Sequence, residues 1–201
     1  GTYIVNVRDA GGCIASDTVT LVVPPPITST VTASTTMLSC FGDNNATITA
    51  NATTGGQGTN YTFTLNMLSP TVSSSGPQSS NVFSNLGAGT YQVVVTDGYN
   101  CEFISANVVI DQPTEVEASL VAASTPTCTV DATLTLSAIG GTGTYTYSND
   151  QTFTTILGTF TTSTTFSVTP GTYQYYVRDS NGCLPPAFRN ISIMGAPKFF
   201  T

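Results

Sequence analysis

Hydrophobic and polar positions alternate along this chain in short runs. Tyr91, Val93 and Val95 share one parity, and the same parity returns as Tyr3, Val5, Val7 and as Tyr173, Tyr175, Val177. β-branched and aromatic residues at every second position mark a strand with one face buried. Runs 46–52, 61–65, 106–110, 132–138, 145–147 and 190–194 read as further strands, and Gly55-Gly56 and Gly140-Gly141 read as turns between them. No segment holds a helical period over ten residues. Short strands separated by turn signals at intervals of about 8–12 residues predict an all-β chain of immunoglobulin-like β-sandwiches, about seven strands to a unit.

The runs belong to a longer repeat. Gly-Thr-Tyr begins at Gly1, Gly89 and Gly171, and each copy continues through Val-x-Asp-x-x-x-Cys to Cys13, Cys101 and Cys183. The step from Gly to Cys is 12 every time (13 − 1, 101 − 89, 183 − 171). Constant internal spacing over a long period signals tandem copies of a small domain. The other cysteines keep the same step, Cys40 lying 27 residues after Cys13 and Cys128 27 after Cys101 (40 − 13, 128 − 101). Each unit then opens with one cysteine and closes with another. The expected disulfides are Cys40–Cys101 and Cys128–Cys183, with Cys13 pairing outside the fragment. Residues 1–26 read as the C-terminal part of a repeat, 27–112 and 113–196 as complete repeats, and 197–201 as the start of the next.

Pro24, Pro25, Pro26, Pro113 and Pro197 each follow the last strand of a unit, and short proline-bearing joints are stiff and extended. Units joined this way predict a rod. Tyr91, at a strand start just after the Gly-rich corner Leu86-Gly87-Ala88-Gly89, is placed as a tyrosine corner, whose hydroxyl bonds backbone upstream. Cys101 lies past the end of its strand, so its disulfide is expected to close one end of the sandwich. In the chain-entropy model a bridge around a loop of about 60 residues adds about 4 kcal/mol.

Composition narrows the function. The chain has no His and no Trp, and its four basic residues against eleven acids give a net charge of −7. Nucleic-acid contact needs clustered Lys and Arg, as does a polybasic membrane patch; both are excluded. No apolar run reaches the length of about 18–20 residues that a spanning helix needs. Without His there is no Ser-His-Asp or Cys-His constellation. Glu115 and Glu117, the remaining paired carboxylates, sit beside the Pro113 joint rather than in a cleft. No enzyme activity and no cofactor is expected. Widely spaced, paired cysteines without Cys-x-x-Cys fit an oxidising, extracellular setting better than a metal site.

The run Cys40-Phe41-Gly42-Asp43-Asn44-Asn45-Ala46-Thr47-Ile48, then Gly55-Gly56, Tyr61-Thr62, Asn85-Leu86-Gly87-Ala88-Gly89-Thr90-Tyr91, Val95-Thr96-Asp97, Cys101 and Gln112-Pro113, resembles the SprB repeat. That family builds long cell-surface adhesins of gliding bacteria in the Bacteroidetes. The later unit departs from it, with Asp131-Ala132-Thr133 at its opening and Thr169-Pro170-Gly171 at its corner. The resemblance implies export by the type IX secretion system, a surface filament that works with the gliding machinery, adjacent repeats as neighbours, and adhesion to a substratum or polysaccharide.

Some residues invite sharper roles. The recurring Asp9, Asp97 and Asp179, with Asn100 and Asn181 nearby, raise calcium; six or more oxygen ligands are wanted. An Asx-turn, with the carboxylate accepting backbone N–H, is the plainer reading, and Asp43, Asn44, Asn45 and Asp150 read likewise. Tyr99, Phe103 and Tyr176 are candidates for stacking on sugars, or else core filler. Arg8 and Arg178 occupy equivalent positions and are placed on a solvated strand face. Asp17-Thr18-Val19 resembles the O-glycosylation acceptor of this phylum, with Thr18 as the modified residue. The sequons at Asn45 and Asn60 are of the kind chance supplies in so Asn- and Thr-rich a chain.

Overall fold

The computed structural model describes residues 1–127 and 130–186 and the backbone of 189–193. The described residues form seventeen strands and no helix. By compactness the chain divides into two units. One comprises Gly1–Thr32, Ile48–Phe83 and Thr90–Val108; the other comprises Ala33–Thr47, Ser84–Gly89 and Val109–Thr201.

The N-terminal hairpin pairs β1 (Thr2–Arg8) with β2 (Ile14–Thr20). Next come β3 (Thr28–Ala33), β4 (Ala46–Thr54), β5 (Thr62–Ser69), β6 (Ser73–Gln78), β7 (Val82–Leu86), β8 (Gly89–Thr96), β9 (Glu102–Ile104) and β10 (Val108–Ile110). They form one sheet in the order β3-β4-β7 and another in the order β10-β8-β5-β6, with β9 also on β8. The remaining strands are β11 (Glu117–Ala122), β12 (Ala132–Ile139), β13 (Tyr145–Ser148), β14 (Gly158–Phe160), β15 (Ser163–Val168), β16 (Gly171–Asp179) and β17 (Arg189–Ile193). Their sheets run β11-β12-β15 and β14-β13-β16-β17. In both sets the first, second and fifth positions share one sheet and the third, fourth, sixth and last share the other. This is an immunoglobulin-like division in which the fourth strand pairs with the third instead of joining the sheet of the first, second and fifth.

The expected parity is the one that turns inward. Tyr91, Val93 and Val95 on β8 are at most 1% exposed, as is Ile48 on β4. β5 and β8 lie in register, Phe63 opposite Val95 and Leu65 opposite Val93. In the later sandwich Leu134, Leu136, Tyr145, Phe160 and Val177 make the core, with the Tyr145 and Phe160 rings 5.4 Å apart. Burying each large side chain stabilises by about 1.5–3 kcal/mol. On β1 the equivalent Tyr3, Val5 and Val7 are exposed.

Two sequence-based expectations are corrected here. Cys40 is bonded to Cys183, not to Cys101, across 143 residues of sequence. Cys101 and Cys13 are exposed free thiols, and Cys128 lies outside the described residues. Since Cys183 is taken by Cys40, it is not available to Cys128. The reason is topological. Asn44, in the loop of Cys40, lies against Gly87 at the start of β8, whereas Cys101 follows the end of β8. Eight residues of strand separate the two ends by about 26 Å, far beyond the spacing of about 7 Å that a disulfide tolerates. Arg178 also departs from expectation: its guanidinium carbon lies 4.5 Å from the centroid of the Phe153 ring, a cation–π contact in place of a solvated one.

Candidate functional site

The recurring aspartate organises the loop that follows each Gly-Thr-Tyr strand. Asp97 Oδ1 accepts the N–H groups of Tyr99 and Cys101 at 2.8 and 2.9 Å, and Oδ2 accepts that of Gln57 at 2.7 Å. Asp179 repeats the arrangement with Asn181 and Cys183 at 3.0 and 2.8 Å, and with the N–H and hydroxyl of Thr142, both at 3.0 Å. Asp9 Oδ1 accepts the Cys13 N–H at 2.8 Å. A backbone bond from the Asp N–H to the Cys carbonyl closes all three loops at 3.0 Å. The side chain is thus an Asx-turn that also reaches across to another loop. Asp97 and Asp179 are buried, and a buried carboxylate is tolerated because N–H donors surround it. The N–H of Gln57, foremost, and those of Cys101 and Tyr99 hold the Asp97 carboxyl below the usual aspartate range.

These oxygens face hydrogen-bond donors, whereas a cation needs lone pairs directed at it. Among the described residues no three His, Cys, Asp or Glu side chains come together as a metal site. Asn181 turns away from Asp179 and donates through Nδ2 to the Ser39 carbonyl at 3.0 Å. Asn100 supplies a positive φ of 64° to its turn. Asp150 is a turn residue, its carboxylate accepting the N–H and hydroxyl of both Thr152 and Thr154; these bonds, the Thr154 hydroxyl first, hold its carboxyl far below the usual range.

The Gly-Gly turns bring the entering chain to the aspartate. Gly56 N donates to Pro25 O at 2.8 Å, and Gly141 N to Thr114 O at 2.9 Å. A Cβ on Gly55 would stand 2.1 Å from the Pro26 carbonyl oxygen, and one on Gly140 1.9 Å from that of Glu115; only glycine admits this approach. Tyr61 and Tyr145 complete the knot, their hydroxyls donating at 2.6 Å to the carbonyls of Gly55 and Gly140. The sequence reading missed this pair, although Gly-Gly followed by Tyr at a strand start recurs in both units. Tyr173 makes a corner of the expected kind, its hydroxyl donating to Thr169 O at 2.7 Å; Tyr91, where the sequence places the corner, is buried on β8.

The disulfide lies within the second compact unit and joins the Asp179 loop to the loop that carries Cys40. Cys183 is held by Asp179. Cys40 donates its N–H to Asp43 Oδ2 at 3.1 Å. The segment carrying Cys40 is tied to residues 111–112, with Leu38 N on Asp111 O at 2.8 Å and Gly42 N on Gln112 Oε1 at 2.8 Å. Cys40 packs against the later core. A cavity of about 390 Å³ beside the bridge is lined by Phe41, Pro113, Val116, Leu184 and Pro186. A second groove, of about 400 Å³, carries Glu115 and Glu117 beside Ser119, Ser137, Pro185 and Pro186.

The other candidates lie on different elements. Tyr99 is exposed in the β8–β9 loop and Phe103 half-buried on β9, while Tyr176 belongs to β16 of the later sandwich. Thr18 is exposed on β2 opposite Ile4, its N–H on Asp17 Oδ1.

Residues 32–69 match the family model described as SprB repeat. No curated protein matches the chain. Among solved structures, three N-terminal domains of the bacteriophage RB49 Highly Immunogenic Outer Capsid protein are similar at 17% identity and a TM-score of 0.38, over 84% of this chain and 59% of that one. This chain therefore spans less than two thirds of that structure. Extracellular domains 3–5 of Drosophila OTK give 12% identity and 0.32, over 98% of this chain and 70% of theirs. The fibronectin(III)-like modules of Clostridium thermocellum CbhA give 11% and 0.31, over 83% and 95%.

Proposed function

The chain carries a SprB repeat at residues 32–69, and from that premise we propose that it is part of the stalk of a filamentous cell-surface adhesin. An extracellular, adhesin-type repeat domain accords with the all-β sandwich fold and the disulfide. The repeat match is the observation that carries the reading. The Asp–Cys loops and Gly-Gly turns accord with it, because the recurrent Asp97 and Asp179 carboxylates hold backbone N–H groups in place. SprB repeats and immunoglobulin-like sandwiches are non-enzymatic kinds of domain.

The finer reading is a rod of such repeats, exported by type IX secretion, held at the outer membrane and driven along the cell by the gliding machinery, with attachment to a substratum or polysaccharide made by the whole filament. Residues 27–112 and 113–196 are its complete repeats. Live-cell imaging with a fluorescent Fab raised against this chain tests it. A label that travels along the cell surface is expected. A label that stays still overturns the motility role and leaves a fixed stalk displaying some other domain; a label found only after cell lysis overturns the surface reading itself.

A further inference from the structure

The bond between Cys40 and Cys183 closes a covalent ring around the 142 residues between them (183 − 40 − 1). Every strand from β4 to β16 lies inside that ring; β1, β2 and β3 precede it and β17 follows it. We propose that the bridge is a tension bypass, which carries a pull on the two ends of the chain from residue 40 directly to residue 183 and leaves the enclosed strands unloaded.

The argument is one of connectivity. Tension follows the shortest covalent route, and the route through two sulfurs is shorter than the route through both sandwiches. Strands in the load path are held by hydrogen bonds worth about 0.5–1.5 kcal/mol each and give way one after another. A covalent bond does not open under loads that peel a sheet. Besides the β1–β2 hairpin, two strands stay outside the protection. β3 pairs with β4 from before Cys40, and β17 pairs with β16 from after Cys183, with Gly171 opposite Ile193 and Tyr175 opposite Arg189. These strands and the β1–β2 hairpin are the elements a pull removes.

The surroundings suit the task. Both cysteines have their backbone N–H on a carboxylate, Asp43 for one and Asp179 for the other. Asn181 ties the Cys183 loop to Ser39, the residue before Cys40. Cys183 is buried and Cys40 half-buried, so a reductant meets a shielded bridge.

The biological use of the bypass rests on the stalk reading, but the bypass itself is a property of this chain and is tested separately. The complete chain is held by tags at its two ends and pulled in single-molecule force spectroscopy, first oxidised, then in dithiothreitol, with the Cys40→Ser/Cys183→Ser double variant alongside. The oxidised chain is expected to stop short of the reduced one by about 500 Å, the extended length of 143 residues at about 3.5 Å each. The double variant should extend fully without reductant. Full extension of the oxidised wild type overturns the proposal. So do two separate hidden lengths, of 61 and 55 residues (101 − 40, 183 − 128), which together are what pairing within each repeat would give. The oxidised wild-type trace decides alone if the variant does not fold. A missing bypass on a surface-labelled filament would leave the stalk reading intact, and a bypass in a protein that never reaches the surface would do the reverse.

Discussion

Asp97 and Gln57 meet across 40 residues of sequence, the carboxylate oxygen accepting the backbone N–H at 2.7 Å. That bond is the first cause of the depressed Asp97 carboxyl, with the N–H groups of Cys101 and Tyr99 behind it. A carboxyl whose folded pKa lies below its unfolded value, about 3.9, contributes stability that is complete above that value. The contribution is lost as pH falls through the lower, folded value. Thermal unfolding followed from pH 7 to pH 2 should therefore show a midpoint that holds above about pH 4 and falls below it. Asp97→Asn should lower the midpoint at pH 7 and flatten part of the acid limb. An unchanged acid limb in the variant would remove Asp97 from the account.

Tyr145→Phe deletes one hydroxyl and leaves the Gly140 carbonyl without that donor. It should cost about 1 kcal/mol in urea unfolding, and Tyr61→Phe a similar amount. Gly140→Ala is a far harsher change. It places a methyl 1.9 Å from the Glu115 carbonyl oxygen at a φ of 79°, so a loss of about 3 kcal/mol or more is expected. A near-neutral Gly140→Ala would mean that the entering chain is free to shift at this turn.

Removing the bridge tests its weight in the unfolded state. The chain-entropy model gives about 5 kcal/mol for a ring of this size, so the Cys40→Ser/Cys183→Ser variant should unfold at markedly lower denaturant. The wild type in reductant should follow the variant. Non-reducing peptide mapping should return a peptide pair joining Cys40 to Cys183.

Cys101 should behave as an accessible but sluggish thiol. It is exposed and unpaired, and desolvation, followed by the charge of Asp97 and a bond to it, pushes its thiol pKa up. The thiolate is the nucleophile. Iodoacetamide at pH 8 should therefore label Cys101 more slowly in the native protein than in urea. Asp97→Asn should speed the native reaction.

Much of the fold was legible in the pattern. The Tyr-x-Val-x-Val parity places β8 with its buried face correct, and β4 and β12 follow their alternation from Ala46 and Ala132. β6 could not be read. Its sequence is SSSGPQ, and it is recruited by backbone pairing to β5, with Leu65 opposite Ser75 and Met67 opposite Ser73. An edge strand of that kind has no apolar face to announce it. The aspartate loops were legible as turns, yet their long arms to Gln57 and Thr142 were not, because no local spacing encodes a bond across 40 or 37 residues. The disulfide misled for a different reason. The 27-residue step counts cysteines correctly but says nothing about which end of a sandwich each occupies. The strand order does say: the loop before the second strand and the loop after the sixth lie at opposite ends. Applying that rule to Cys40 and Cys101 is enough to exclude their pairing.

On the proposed stalk reading the chain also meets proteases, and the ring drawn by Cys40 and Cys183 bears on that encounter. Loop tips are where such enzymes cut, and the loop at 55–61 and the turn at Asp150 both lie inside the ring. A single cut at either place divides the polypeptide but sheds nothing, because the two pieces remain joined through sulfur. Two cuts inside the ring, or one outside it, are needed before any part of the chain is lost.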